Sequence, residues 1–463
     1  MQNMRGKRLA AIAATAAVLL FGLLLFSPFS PVLSAKAAES MYSLSNMLAP
    51  VWEGEISYNE SVLVVEEADG SVAPIELLYP IEAVREVRNA RLDTVYRSGT
   101  DFEVVNGKFV VKKGGGIPRL TYGEFHPEEG TQGFESRNGG YVLWKEGSWF
   151  HDRQIVITYT HTERYGGYIP EGKGALLSST LGKLAAGENI NMLVYGDSIS
   201  VGGNSSGHPD IKVPPLMPVY PEMFRAGLEQ RFESAGAAVR MINASVGGRD
   251  SAAGVGALRS DVLAKYPEED FDLIVLAYGM NDIKTTVEAY VKNVQKMMRS
   301  LRSQYKNAEF LLVAPMLPNY QAEKYWGNQY LFYDALLELE AEGVAAVNVT
   351  GMHESLLETK RFADMTGNNV NHANDYMARI YAQTLLRTME ESDYSLPDDP
   401  AAPDDPGNQP GDDLGNQPGD EPGNDDTPKD IKGGCSGALS ATGAAVATLL
   451  FGGALLALQT KRK

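Results

Sequence analysis

The chain predicts an α/β protein in two parts: an all-β sandwich or jelly roll over residues 41–180, then a parallel sheet covered by helices over 188–392. Three observations predict it. Residues 41–180 hold short apolar runs between Gly-rich turns and no convincing helix. From Ile190 onward, apolar strands alternate with helical segments. One of those segments carries its apolar residues at helical spacing. With 463 residues, 44% hydrophobic and 22% charged, the chain has apolar material for one or two substantial cores, which excludes wholesale disorder.

In the first part, Val62-Leu63-Val64-Val65 is an apolar run with polar ends. Glu103-Val104-Val105 and Lys108-Phe109-Val110-Val111 flank Asn106-Gly107, a dipeptide suited to the tight turn of a hairpin. Tyr141 to Trp144 and Gln154 to Tyr159 follow as strands. Trp144, Trp149, Phe150, Tyr165 and Tyr168 either fill a sandwich core or form a surface on which sugars stack; core is the preferred reading.

In the second part, strands are expected at Met192–Tyr195, Val239–Ile242, Leu273–Tyr278, Phe310–Ala314 and Ala345–Val349. Helices are expected at Tyr220–Ala235, Ala257–Tyr266, Val287–Tyr305 and Leu331–Glu342, with a last one running to about Glu391. Val287, Tyr290, Val291, Val294, Met297, Met298 and Leu301 make one stripe, the mark of a helix lying on a sheet. In such an architecture, ligand sites form at the carboxyl ends of the strands.

Both ends concern location. Arg5, Lys7 and Arg8 precede an almost wholly apolar stretch from Leu9 to Phe26, and Ala35-Lys36-Ala37 is a small-residue cleavage site, so residues 1–37 read as a signal peptide. An uncleaved anchor is the alternative, since the run is long enough to span a bilayer. Residues 397–432 repeat Gly-Asn-Gln-Pro-Gly-Asp and are rich in Pro, Gly and Asp, the composition of a disordered acidic spacer. Residues 437–458 carry no charge and precede Lys461-Arg462-Lys463, which fits a transmembrane or sorting segment with a cytoplasmic tip. Cys435, between glycines and Ser436, is a candidate lipidation or sorting point, although the sortase pattern Leu-Pro-x-Thr-Gly is absent. The expected location is therefore extracellular or cell surface, tethered to the envelope.

The formal net charge of −18 gives no electrostatic footprint for nucleic acid. A single cysteine excludes an intramolecular disulfide framework and a cysteine-rich zinc site, and the six histidines show no metal-ligand spacing, so no metal and no cofactor are expected.

Four segments carry chemistry. Gly196-Asp197-Ser198-Ile199 closes the first strand of the second part and can present the Ser198 hydroxyl from a tight turn. Asn243-Ala244-Ser245-Val246-Gly247-Gly248 closes the next, offering an unobstructed glycine N–H. Gly279-Met280-Asn281-Asp282 closes the third, offering the Asn281 amide as donor to a developing oxyanion. Asn368-Asn369-Val370-Asn371-His372 lies just before the terminal helix, where His372 is placed to act as a base. Taken singly, each segment is an ordinary loop; three at successive strand ends, with a histidine to follow, make a constellation.

In this order the four segments resemble blocks I, II, III and V of the SGNH, or GDSL, hydrolase superfamily, over roughly residues 190–390. The resemblance implies an SGNH-type three-layer domain and a carboxylic ester hydrolase. It makes Ser198 the nucleophile, His372 the base, and the Ser198 N–H, Gly248 N–H and Asn281 side chain the oxyanion hole. The family's aspartate three residues before the histidine is Asn369 here. The third member of the triad is thus open between Asn369, Asp364 and a backbone carbonyl. A β domain ahead of an SGNH domain is also similar to carbohydrate esterase family 2, which implies an O-acetylated polysaccharide as substrate. Lipase or thioester hydrolase, O-acetyltransferase and catalytically silent carbohydrate-binding protein are the rival readings.

Overall fold

The computed structural model describes residues 43–131 and 133–391. The expected signal peptide, acidic spacer, Cys435 and the 437–458 segment lie outside the described residues. Among the described residues, no helix is long and apolar enough to cross a membrane.

The first part is built on a four-stranded antiparallel sheet in the order β1-β8-β2-β3, from β1 (Ile56–Leu63), β2 (Ala83–Asn89), β3 (Val95–Tyr96) and β8 (Gln154–Thr160). Two hairpins complete it: β4 (Phe102–Val105) with β5 (Lys108–Val111), and β6 (Gly133–Glu135) with β7 (Tyr141–Leu143). The β4–β5 hairpin turns at Asn106-Gly107 as expected, with φ of 50° and 75°, the positive values that a two-residue hairpin turn of type I′ demands.

The described strands do not assemble the expected sandwich or jelly roll. The reason lies in what covers β1. Its carboxyl half is buried throughout rather than alternating. Besides β8, it has partners in the second part of the chain: Arg379 Nη1 donates to the Tyr58 carbonyl at 2.8 Å and Asn374 Nδ2 to Ser61 Oγ at 3.0 Å. Lys360 Nζ lies 2.7 Å from Glu60 Oε1 in a fully buried ion pair. One apolar core runs from Trp52 and Val62, through Phe102 and Phe109 of the β4–β5 hairpin and Val194, to Leu385, so the sheet is covered by that hairpin together with helices and loops of the second part.

The second part is the expected parallel sheet. Its five strands are β9 (Ile190–Gly196), β10 (Val239–Asn243), β11 (Leu273–Ala277), β12 (Glu309–Ala314) and β13 (Val344–Asn348), in the order β10-β9-β11-β12-β13. β9, β11, β12 and β13 are almost wholly buried, as helices on both faces require. The Val287–Gln304 helix is capped by Thr286, whose side chain accepts the Ala289 N–H, and buries Tyr290, Val294, Met297 and Leu301. The helix expected at Ala257–Tyr266 instead begins at Ser251, behind an Asp250 cap, and ends in a π-helical turn at Arg259–Leu263. The helix expected at Leu331–Glu342 is shorter, Phe332–Leu337.

Candidate active site

Strand β9 and its neighbours β10 and β11 end side by side, and each delivers one of the predicted segments. At the end of β9, Asp197 caps a single helical turn, Ser198–Val201, by accepting the Ile199 N–H at 3.0 Å. Ser198 is thereby the first residue of that turn, with no protein acceptor for its N–H among the described residues. Beyond β10, the loop reaches the nucleophile: a Cβ on Gly247 would lie 3.6 Å from Ser198 Cβ. Gly248 has φ +76° and its N–H also lacks a protein acceptor among the described residues. Beyond β11, Asn281 Nδ2 donates one hydrogen to the Arg249 carbonyl at 3.0 Å. That bond holds the amide against the Gly248 loop and leaves its second hydrogen for a ligand.

His372 meets Ser198 as the sequence predicts, with Nε2 2.8 Å from Ser198 Oγ. Its backbone N–H is held by Asn368 Oδ1, which also accepts the N–H groups of Val370 and Asn371. The histidine loop is therefore tied to one amide.

The other ring nitrogen has a partner the sequence did not suggest. His372 Nδ1 lies 2.5 Å from Asn204 Oδ1. Asn204 is buried, has φ +64°, and donates Nδ2 to the Gly147 carbonyl at 3.0 Å, which sets its oxygen toward the ring. The only sequence signal was a polar residue after Gly202-Gly203, six residues beyond the nucleophile, and nothing in that spacing points to a histidine.

Asn369 and Asp364, the two candidates for the third member, are both engaged elsewhere. Asn369 has φ +63° and donates its side chain to the Leu143 carbonyl at 3.1 Å. Asp364 accepts the Leu63 N–H at 2.7 Å and pairs with Arg361 at 2.8 Å, bracing β1. Neither touches the imidazole.

The β region also reaches the site. Glu146 Oε2 lies 3.9 Å from His372 Nδ1, while its Oε1 accepts Trp144 Nε1–H and Asn368 Nδ2–H, each at 3.0 Å. Of the aromatics singled out above, Phe150 and Tyr165 are core. Trp149 is half-buried under Arg153, and Trp144 stands next to the site, its ring 5.4 Å from Phe134. Tyr325 packs edge-on against Phe134, and Tyr320, exposed, packs edge-on against Trp326.

Burial holds the His372 imidazole below its ordinary value; Glu146 pulls it back up and His208 pushes it further down. The ring is therefore a neutral base at neutral pH. Behind the nucleophile, burial pushes the Asp197 carboxyl up to about 7, with its N–H bond from Ile199 opposing and the Asp282 charge adding to the rise. Asp282 is itself raised by burial and is held by the Ser251 N–H and hydroxyl.

A serine and a histidine in contact at the carboxyl end of a parallel sheet, flanked by donors from both neighbouring strands, are the groups that acyl transfer through a serine requires. Residues 194–380 match the model of the GDSL-like lipase/acylhydrolase family. The match spans the segments that carry Ser198, Gly248, Asn281 and His372. Among solved structures, the chain is similar to CEX, a two-domain esterase active on acetylated mannans, at 20% identity and a TM-score of 0.37, covering 50% of this chain and 59% of that one. Axe2, an acetylxylan esterase from Geobacillus stearothermophilus, aligns at 15% identity and a TM-score of 0.35, over 43% of this chain and 94% of its own. LAE5, an alpha/beta hydrolase enzyme from the metagenome of Lake Arreo, Spain, aligns at 17% identity and a TM-score of 0.33, over 43% and 94%. The chain thus spans 59% of the length of the two-domain esterase. Among curated proteins, none matches the chain.

Proposed function

We propose that the protein is an exported, envelope-tethered esterase that removes O-acetyl groups from a carbohydrate polymer, with Ser198 as nucleophile and His372 as base. The observation that carries the chemistry is the 2.8 Å contact between His372 Nε2 and Ser198 Oγ, with Nδ1 engaged by Asn204 on the far side. Asn204 Oδ1 accepts the Nδ1–H, so Nε2 is left bare to take the serine proton as Oγ attacks the ester carbonyl.

The carbonyl oxygen becomes an oxyanion facing the Ser198 N–H, the Gly248 N–H and Asn281 Nδ2. These donors are fixed before the charge forms, which is why they lower the barrier. Collapse breaks the ester C–O bond, and His372 returns its proton to the leaving sugar oxygen, which departs as a hydroxyl. Water then attacks the acyl-serine by the same route, releasing acetate and free Ser198.

The substrate class is supported by the surroundings. Trp144 donates to Glu146, the carboxylate that faces His372, and a groove of about 580 Å³ lined by Tyr122, His126, Tyr141, Asn138 and Gln321 includes Asn369, three residues before His372. Aromatic faces and side-chain amides are what neutral sugar rings and their hydroxyls bind. Location is supported by sequence: the basic-apolar start, the acidic spacer and the uncharged 437–458 segment fit an enzyme held at the cell surface to meet a polymer.

A panel of aryl esters from acetyl to long-chain, run beside acetylated polysaccharides, tests the substrate. Preference for acetyl esters and release of acetate from a polymer are expected; preference for long chains defeats the deacetylase reading. Cell fractionation with and without residues 433–463 tests the tether, with release into the medium expected on truncation.

A further inference from the structure

In an ordinary triad, one carboxylate both orients the histidine and balances the positive charge it acquires. Here the group on Nδ1 is an amide. Asn204 fixes the ring and its tautomer, but brings no net charge to the imidazolium that forms when Ser198 loses its proton. In a partly buried site that charge is costly unless something answers it.

We propose that Glu146, delivered by the β region, supplies that charge, so that the two duties of the usual aspartate are divided between Asn204 and Glu146. The proposal rests on the reading of His372 as the base of Ser198. Glu146 Oε2 stands 3.9 Å from Nδ1, within range of a charge interaction though beyond a hydrogen bond. The carboxylate is held in place: Oε1 accepts from Trp144 Nε1 and from Asn368 Nδ2, and Asn368 is the same residue whose Oδ1 holds the His372 backbone. Its side chain is 46% exposed, so the charge keeps water on one side.

The neighbouring residue completes the device, since the Gly147 carbonyl holds Asn204 Nδ2. Residues 144–147 therefore govern both partners of the ring from one short segment. Two other titratable groups face this pair. His208 acts on His372 against Glu146, and Tyr325 is raised by its own burial and by the Glu146 charge. Glu146 is a positioning residue for charge and forms no bond with the substrate.

The test is the pH dependence of kcat/KM for an aryl acetate, measured on the full chain with wild type, E146Q, E146D and E146A. Glutamine keeps an oxygen for Trp144 and Asn368 and loses only the charge. Removing an anion disfavours imidazolium, so the acid limb of E146Q moves to lower pH, by about half to one unit, and its plateau falls roughly tenfold. E146D returns the limb toward wild type. Because Glu146 is half exposed, raising the salt concentration moves the wild-type limb downward toward that of E146Q.

An E146Q limb that superposes on wild type, or lost activity with the limb unmoved, overturns the proposal and leaves Glu146 a loop support. If E146Q does not fold, a salt-independent wild-type limb overturns it equally. H372A separates this from the underlying reading. An active H372A defeats the base assignment itself, whereas an inactive H372A with an unmoved E146Q limb defeats Glu146 alone.

Discussion

Asn204 Oδ1 lies 2.5 Å from His372 Nδ1, just beyond the helical turn that carries the serine hydrogen-bonded to the other ring nitrogen. The stretch from Ser198 to Asn204 thus provides both the group that His372 activates and the group that orients it. The histidine loop needs only to place the ring between them.

Asn204→Ala removes the acceptor for Nδ1–H and frees the ring to take the wrong tautomer. A fall in kcat of about 10² with little change in KM is expected, since the loss falls on orientation in the transition state. Steady-state kinetics on an aryl acetate check it; a change confined to KM contradicts the assignment.

The Gly203 backbone passes close to the imidazole. A Cβ there would lie 3.0 Å from His372 Cε1 and 3.1 Å from Nδ1, tighter than ordinary contact. Gly203→Ala should push the ring off its line to Ser198 and cost at least about tenfold in kcat while melting within a few degrees of wild type. Thermal melting alongside kinetics separates this from general damage.

How much of this was legible in the chain depends on how local the signal is. The Asn106-Gly107 hairpin, the strand–helix alternation and the nucleophile turn are fixed by neighbours in sequence, and the structure places them where expected. The Ser198–His372 pairing was readable because both residues sit at the ends of recognisable elements. Asn204 and Glu146 were not, because their roles arise only when distant segments meet; Glu146 comes from 226 residues before His372. Asn369 occupied the expected position, yet its positive φ and its bond to Leu143 turn it away from the ring. The jelly-roll expectation was not confirmed for a related reason: apolar strands announce that they are buried, but not what covers them.

Asp197 gives a dependence of stability on pH. Its carboxyl stands at about 7 in the folded protein against an ordinary 3.8, because it is buried with Oδ2 unpartnered. The native state therefore binds the extra proton. The stabilisation Asp197 contributes is full below about pH 4, declines as pH rises toward 7 and is lost above it, at most about 4 kcal/mol. Asp197→Asn should remove that component of the pH dependence, leaving one of the same sign from Asp282 and one of opposite sign from the buried His353. Denaturant midpoints between pH 4 and 8 measure it, and an unchanged slope contradicts the assignment.

Lys360 and Asp364 should matter to folding rather than to chemistry. Lys360→Ala strands the buried Glu60 carboxylate without its cation and should cost about 3–5 kcal/mol. Asp364→Ala leaves the Leu63 N–H unmatched and should cost about 1–3 kcal/mol. Turnover of whatever remains folded should stay near wild type. A folded Asp364→Ala protein with activity lost as in His372→Ala would restore Asp364 as the acid of the triad.

The central claim is that Ser198, activated by His372, is the nucleophile. Its most direct test is reaction with a fluorophosphonate, with the adduct located by peptide mass spectrometry. One adduct per chain on Ser198 is expected, lost in Ser198→Ala and slowed at least about 10³-fold in His372→Ala, in step with loss of aryl acetate turnover. An adduct on another residue, or near-normal turnover by folded Ser198→Ala, would contradict it.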